Sequence, residues 1–190
     1  QTCALPICEF FLVDANGGLS PEQALRLLNL LPAGLDFVLE APCASWREML
    51  SLRRRCSVPI MLDELVLEDS DLVHMIATDA ADGLGLKITK AGGLSPSRRQ
   101  RDICRAAGLR HTCDDSWGGD IVAAACMQIA ASVAPEQLDG VWLAQPHIEG
   151  HYDPENGIRA EEGRIKLPSG PGLGLRIDPE QFGPPVAVYD

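Results

Sequence analysis

Short apolar runs alternate with longer amphipathic segments along most of the chain, and this alternation restricts the possible folds more than any other feature. The segments between the runs have the apolar spacing of helices, whereas the runs have the length of strands. Strands that are apolar on both faces pair in parallel and are covered by helices. The six runs are residues 10–13, 37–39, 59–62, 83–86, 109–113 and 141–144.

The segments between the runs carry the usual signals for helix ends. Ser20 with Pro21 predicts one helix start, and Ser45 predicts another, because serine side chains accept the free N–H groups of a first turn. Gly108 predicts a helix end. We therefore expect five helices, at about 21–31, 46–54, 69–77, 94–107 and 121–133.

Each of the first four runs ends in an ionisable residue, at a nearly constant interval. Asp14 and Glu40 are 26 residues apart, Glu40 and Asp63 are 23 apart, and Asp63 and Lys87 are 24 apart. In a (β/α)8 barrel the carboxyl ends of the strands converge on one mouth, where the active site lies. An open doubly wound sheet usually has a glycine-rich phosphate loop, and none follows these runs. We predict an α/β fold with six units of a TIM-like (β/α)8 barrel.

Three carboxylates at neighbouring strand ends would repel one another without a cation. A single acid at such a position would be interpreted as a helix cap, but Asp14, Glu40 and Asp63 in register favour a metal site. Oxygen ligands on rigid strands suit Mg²⁺. Lys87 follows Leu84 and Leu86, whose apolar surroundings disfavour its charged form and make it a candidate for proton transfer. Its alternative role is a structural ion pair with the acids.

Three further residues near these strand ends are candidates for the site. Lys90 is expected to face solvent or a substrate carboxylate. Glu64 points away from Asp63 if the strand continues, because successive strand side chains alternate. We therefore expect Glu64, like Asn16 beside Asp14, to support the metal ligands from behind.

The segment after the fifth run, residues 111–120, brings acids and an indole to the same mouth. Asp115 could bind a substrate ammonium, and Trp117 could cover an apolar ring. The alternative role of these acids is helix capping, which applies to Asp120 more than to Asp115. His111 lies at the start of its run and is expected to be packed or exposed rather than catalytic.

The charge balance and cysteine content exclude several classes of protein. With 16 Lys and Arg against 27 Asp and Glu, the net charge is -11, so no basic surface for nucleic acid is expected. No apolar run approaches the roughly 20 residues needed to span a bilayer. The seven cysteines are odd in number and form no CxxC pair, which indicates free thiols and a cytoplasmic protein.

Four motifs in this order resemble the enolase superfamily, in its mandelate racemase/muconate lactonizing branch. The resemblance implies Mg²⁺ bound by Asp14, Glu40 and Asp63, with Lys87 as the acid/base. It also implies that the metal holds a small carboxylate substrate and stabilises the enediolate formed when the α-proton leaves. A homo-oligomer is common in this branch. The motifs are Val13-Asp14-Ala15-Asn16, Leu39-Glu40-Ala41-Pro42, Leu62-Asp63-Glu64 and Leu86-Lys87-Ile88-Thr89-Lys90-Ala91-Gly92-Gly93.

Residues 111–120 look like the cis-3-hydroxy-L-proline dehydratase group of this superfamily. That likeness implies a lyase that removes an α-proton and expels a β-hydroxyl from a hydroxy or imino acid. A racemase, an epimerase or a cycloisomerase of the same superfamily remains an alternative. The strand count of the resemblance makes residues 10–13 the third of eight strands, so the chain is expected to hold the last six units.

The chain departs from the family pattern before its first metal ligand. Lysine-type members carry a Lys-x-Lys motif on the second strand and an N-terminal capping domain, and neither is found here. Two other hypotheses therefore stand beside the enzyme, namely a catalytically inactive fragment and a metal-binding scaffold without turnover. We expect residues 1–8 to be a non-native leader, 9–145 a partial barrel, and 146–190 an extension that packs on the barrel or the cap.

Overall fold

The computed structural model describes residues 11–188, so the expected leader at 1–8 lies outside the described residues. Helices and strands alternate as the sequence predicts. A short antiparallel hairpin, β7 with β8, follows the last barrel strand. The elements are β1 (Leu12–Asp14), α1 (Pro21–Leu30), β2 (Val38–Glu40), α2 (Trp46–Arg53), β3 (Ile60–Leu62), α3 (Asp69–Ala77), β4 (Gly83–Lys87), α4 (Ile88–Ala91), α5 (Leu94–Ala107), β5 (Arg110–Asp114), α6 (Gly119–Ala130), β6 (Leu138–Trp142), β7 (Ala160–Glu161) and β8 (Arg164–Ile165).

The first six strands form one parallel sheet in the order β1-β2-β3-β4-β5-β6. Each of these six strands pairs only with its neighbours in sequence, and a helical segment separates each of them from the next. The sheet is a curled half-barrel with helices outside it, which confirms the predicted partial (β/α)8 barrel. All strand ends that carry ionisable residues therefore lie at the same edge.

Side chains alternate between the two faces of this sheet. Leu84 and Leu86 are buried in the core that β4 shares with the helices, and Met49 and Leu72 belong to the same core on the helix side. At about 25 cal/mol per Å² of buried apolar surface, this layer is the main stabilising contribution of the fold. The alternate residues of the strands face the concave side, where the polar groups lie.

Helix starts follow the sequence closely. The Ser20 hydroxyl accepts the Gln23 N–H at 3.2 Å, and the Gln23 side chain accepts the Ser20 N–H at 2.8 Å. Ser45 caps α2 in the same way, by accepting the Glu48 N–H. Gly108 ends α5 in a left-handed conformation with φ +70°. These local signals predict the helix ends because each depends on residues within one turn.

The sequence prediction and the structure differ most at the sixth strand and at the helix before it, which spans Gly119–Ala130 rather than 121–133. The prediction places the strand at 141–144, whereas β6 spans Leu138–Trp142. Asp139 and Gly140 interrupt the apolar run, which hides its first half. The register also shifts between His111 and Thr112, where β5 pairs with β6. The one-turn helix α4 is not predicted, because Gly92 and Gly93 end it after four residues.

The cysteines of the described range are free thiols, as the sequence indicates: Cys43, Cys56, Cys104, Cys113 and Cys126. His111 is fully buried, in agreement with a packing role. None of the helices between residues 11 and 188 is both long and apolar enough to cross a membrane.

The residues after β6 pack against the start of α6. The carboxylate of Asp120 accepts the N–H groups of Tyr152 at 2.8 Å and Ile158 at 2.9 Å, and His151 Nδ1 lies 2.9 Å from it. Ile158 itself belongs to the buried core. Asp120 therefore fastens the extension to the barrel. It does not cap α6, whose N-cap is Gly118, so the helix-capping role expected for it is wrong.

Candidate active site

The carboxyl ends of the strands surround a cavity of about 750 Å³ on the concave side of the sheet. Strand register explains why these residues meet, since Asp14 lies opposite Glu40 and Lys87 lies opposite Asp114. The cavity is therefore acidic at its base and partly aromatic at its rim. The strand-end and rim residues that line it are Asp14, Asn16, Glu40, Lys87, Asp114, Ser116, Trp117 and Trp142.

Glu40 is the carboxylate with the most unfavourable surroundings. It is 7% exposed. Burial, together with the charges of Asp14, Asp114 and Asp63, raises its pKa to about 8, although Lys87 opposes the change. The structure thus brings the predicted ligands Asp14 and Glu40 together. The positive charge of Lys87 is not enough to balance the negative charge around Glu40.

Asp63 is 1% exposed and forms ion pairs with both lysines of the site. Lys87 Nζ donates to one carboxylate oxygen, and Lys90 Nζ donates to the other. Lys90 Nζ also donates to the Asp63 carbonyl at 2.6 Å and to the Gly85 carbonyl at 3.3 Å. The prediction that Lys90 faces solvent or a substrate is wrong in this structure, because its ammonium is turned inward to Asp63.

The two lysines differ in the direction of their pKa shifts, although both contact Asp63. Burial lowers the pKa of Lys87, but its hydrogen bond to Asp63 and the charges of Asp63, Asp114 and Glu40 outweigh burial, so the net pKa is raised. For Lys90, burial is the larger effect, and with the charge of Lys87 it lowers the pKa. The sequence predicts that desolvation dominates at Lys87, and the structure reverses that expectation.

Asp114 is one of the acids of residues 111–120 that the sequence brings to the mouth, but the sequence assigns it no separate role. It is buried, and burial together with the charge of Asp63 raises its pKa to about 6, against the lowering effect of Lys87. Its Oδ1 atom is buried and has no hydrogen-bond partner among the described residues. Strand alternation was the available signal, because Thr112 and Asp114 share the concave face of β5.

Gly85 leaves the space into which the acids of the site converge. A Cβ atom at this position would lie 2.9 Å from Glu40 Oε1, 3.6 Å from Asp114 Oδ2 and 3.6 Å from Asp63 Cβ. Gly85 lies in the middle of β4, where a side chain would normally strengthen the strand. The absence of a side chain here therefore keeps room for the carboxylates and for whatever binds between them.

We expect Gly85→Ala to displace Glu40 and weaken divalent-cation binding by about tenfold, equivalent to roughly 1.4 kcal/mol. The displaced atom is the end of a flexible side chain, so the free energy of unfolding should change by about 1 kcal/mol or less. Isothermal titration with Mn²⁺ and urea unfolding measure the two effects. Gly140→Ala is the matched control, because a Cβ atom there meets nothing within 4 Å. Equal Mn²⁺ affinities in Gly85→Ala and Gly140→Ala would contradict this interpretation.

The donor chemistry of the mouth fits a hard cation, although the side chains are not arranged as a ligand shell. Within residues 11–188, no group of three His, Cys, Asp or Glu side chains is close enough to hold a metal ion. Both oxygens of Asp63 are instead taken by lysines. A divalent cation would reduce the charge repulsion around Glu40, and it would fill the space above Gly85. The predicted ligand set remains a prediction.

Asp115 does not lie in the cavity. It is 0% exposed, and its oxygens accept the N–H groups of Trp117 at 3.1 Å and Ala144 at 2.9 Å. The prediction that it binds a substrate ammonium does not agree with this position, because β5 ends at Asp114 and the next residue turns inward behind the loop.

Glu64 is exposed, and the Asn16 N–H donates to Asp14 Oδ1 at 2.8 Å, so only Asn16 contacts a predicted ligand directly.

Aromatic side chains form the rim of the cavity. The indole of Trp117 lies 6.0 Å from that of Trp142 and 6.0 Å from the ring of His147, measured between centroids. Trp117 is 61% exposed and Trp142 is 49% exposed. Trp117 is thus at the mouth as predicted. The sequence does not predict its two partners, because Trp142 ends a strand whose start is hidden and His147 lies in the segment after it.

Known proteins are similar to this chain in both sequence and fold. Residues 6–181 match the family described as Enolase C-terminal domain-like. Cis-3-hydroxy-L-proline dehydratase of Roseibium aggregatum is 36% identical over 182 residues, which cover 95% of this chain and 49% of that protein. Chloromuconate cycloisomerase of Cupriavidus pinatubonensis is 31% identical over 171 residues, which cover 89% of this chain and 46% of that protein. The chain spans about half the length of the curated relatives it matches.

A solved structure shows the same fold. The crystal structure of a member of the enolase superfamily from Roseovarius nubinhibens ISM, complexed with magnesium, superimposes with a TM-score of 0.91 at 33% identity. The match covers 98% of this chain and 50% of that chain. These matches confirm the resemblance that the four strand-end motifs indicated.

Proposed function

Because the chain belongs to the Enolase C-terminal domain-like family, we propose that it is the barrel segment of an enzyme that removes the proton α to a carboxylate. The observation that carries this proposal is the sequence of polar strand ends: Asp14, Glu40 and Lys87 line one cavity, and Asp63, directly after β3, is ion-paired with Lys87 beside it. The relatives include a dehydratase and a cycloisomerase, which differ in reaction but share this family.

The proposed cofactor is Mg²⁺, held by Asp14, Glu40 and Asp63. When bound, it would supply positive charge to the substrate carboxylate and stabilise the negative charge that develops there. Support comes from the raised pKa of Glu40, from the space above Gly85 and from the magnesium complex of a relative with the same fold. In this arrangement Asp63 also orients Lys87, since the two side chains are hydrogen bonded.

Lys87 is the proposed acid/base. Its Nζ lies between Asp63 and the cavity, with Asp114 and Glu40 as further charged neighbours. These acids hold it in the ammonium form, so it can donate a proton at rest and must lose its own before it can accept one. A change in the charges that surround Lys87 is therefore required for proton abstraction, and a cation shared by the same carboxylates would provide it.

The proposed reaction is the dehydration of cis-3-hydroxy-L-proline or a related hydroxy acid. The Cα–H and Cβ–OH bonds break, a Cα–Cβ double bond forms, and the proton and the hydroxide are released as one molecule of water. The likeness to the Roseibium aggregatum dehydratase supports this choice of substrate. Trp117 and Trp142 at the rim are suited to cover a small ring.

The experiment that tests this function compares two proteins. One is the 190-residue chain, and the other is a chimera in which the unmatched part of the Roseibium aggregatum relative is joined to it. We expect Mg²⁺-dependent consumption of cis-3-hydroxy-L-proline by the chimera, and none of the trans isomer. No turnover and no α-proton exchange by a folded chimera would overturn the proposal. Turnover by the chimera alone would show that the chain by itself is the inactive unit.

A further inference from the structure

The loop after β5 has an unusual backbone for its residues. Ser116 has φ 53°, Trp117 has φ 69° and Gly119 has φ 59°. Glycine tolerates this left-handed region, but for a side chain as bulky as tryptophan it costs about 1 kcal/mol. Such a conformation persists only where the surroundings hold it in place. Something in the fold must therefore fix Trp117.

Asp115 is the group that holds this loop. Its Oδ1 accepts the Trp117 N–H at 3.1 Å, and its Oδ2 accepts the Ala144 N–H at 2.9 Å. Its own N–H donates to the Trp142 carbonyl at 3.2 Å. One fully buried residue thus joins the segment that follows β5 to the end of β6 and the segment after it.

The residues joined in this way carry the aromatic rim. Trp117 belongs to the first segment, Trp142 ends β6, and His147 lies three residues beyond Ala144. The distance and the 64° angle between the two indoles depend on how the two segments are held together. The rings of the rim contact one another across the two segments, but among the described residues none of these three side chains forms a hydrogen bond that joins them.

We propose that Asp115 is a positioning residue, which fixes the indole of Trp117 over the cavity and thereby sets the shape of the substrate that enters. Its carboxylate acts through the backbone of Trp117 and Ala144 and does not touch the substrate. The part of this inference that concerns substrate selection rests on the proposed function. The part that concerns the geometry of the two indoles does not.

Near-ultraviolet circular dichroism tests the geometry directly. The chain has three tryptophans, so Trp46→Phe leaves only the pair Trp117 and Trp142. Trp142→Phe in this background gives the spectrum without a coupled pair. In the Trp46→Phe background, we expect Asp115→Ala to lose the coupled signal, so that its near-ultraviolet spectrum matches the Trp142→Phe reference. Its far-ultraviolet spectrum should be unchanged. Asp115→Asn retains one oxygen acceptor, so its coupled signal should lie between that of the Trp46→Phe parent and that of the Trp142→Phe reference.

The control is Asp120→Asn. Asp120 is also buried and fastens the extension to α6, but it makes no bond to Trp117. It should retain the coupled signal even if the protein becomes less stable. A full signal in folded Asp115→Ala, or an equal loss in Asp120→Asn, would overturn the proposal. Should Asp115→Ala fail to fold, Asp115→Asn decides the matter, because a full signal in that variant overturns the proposal and a reduced one supports it.

Kinetics of the chimera test substrate selection. We expect Asp115→Asn to raise KM about tenfold with a nearly unchanged kcat, since it weakens binding and leaves the reacting groups in place. A loss of kcat at constant KM would contradict a role in selection. If the parent chimera does not turn over hydroxyproline, the proposed function fails, while the dichroism result still decides whether Asp115 positions Trp117.

Discussion

Replacement of Lys87 by alanine should abolish proton exchange at the α-carbon of the substrate. We expect a loss of about 10³-fold or more, because a positioned general acid/base contributes roughly 10² to 10⁴. The measurement is the incorporation of deuterium from heavy water into cis-3-hydroxy-L-proline, followed by nuclear magnetic resonance in the chimera. Exchange is a better readout than product formation, since it reports the first step alone.

The matched control for this prediction is Lys166→Ala. Lys166 is an exposed lysine of the C-terminal extension, far in sequence from the strand ends. It should exchange deuterium at the parental rate. Lys87→Ala should also bind Mn²⁺ at least as well as the parent, because it removes a positive charge beside Asp63. A normal exchange rate in Lys87→Ala would refute the assignment of Lys87 as the acid/base.

Replacement of Asp63 by alanine should cause the largest loss of stability among the site variants. It leaves the ammonium groups of Lys87 and Lys90 without their carboxylate, and the Lys90 side chain is only 13% exposed. Removal of one partner from a buried ion pair costs about 3 kcal/mol or more, since the remaining charge stays desolvated. Urea unfolding at fixed pH, without added divalent cation, measures the change.

A double variant separates the unpaired charge from other effects of the mutation. We expect Asp63→Ala with Lys90→Met to recover part of the loss, because methionine carries no charge into the buried position. Asp36→Ala, at an exposed loop acid, should stay within about 0.5 kcal/mol of the parent. Equal stabilities of Asp63→Ala and Asp36→Ala would show that the ion pairs do not support the fold.

The fold is predictable from the sequence because its signals are local and repeated. An apolar run followed by a polar strand end, such as Leu39 before Glu40, is visible within a few residues. The cap at Ser20 and the helix end at Gly108 are equally local. Where the pattern is interrupted, as at Asp139 and Gly140, the strand boundary is misplaced.

The site was predictable in position but not in its contacts. Its strand-end residues follow from the repeat, whereas the orientation of Lys90 toward Asp63 depends on the competition between burial and an ion pair. The adjacent acids Asp114 and Asp115 show the same limit. β5 ends at Asp114, one residue later than predicted. The Asp114 side chain therefore faces the cavity and Asp115 lies behind the loop, and no local pattern in the sequence marks the end of β5.

The strictly sequential order of the six strands has a consequence for how the chain reaches its structure. Each strand after β1 pairs with the strand that precedes it in sequence, so the pairing contacts join residues roughly one repeat apart. Contacts of short sequence separation cost little loop-closure entropy and favour rapid formation. Assembly can therefore proceed by stepwise addition of strand–helix units. In that order β4 brings Lys87 beside Asp63, and the acidic mouth is completed when β5 and β6 add Asp114 and Trp142.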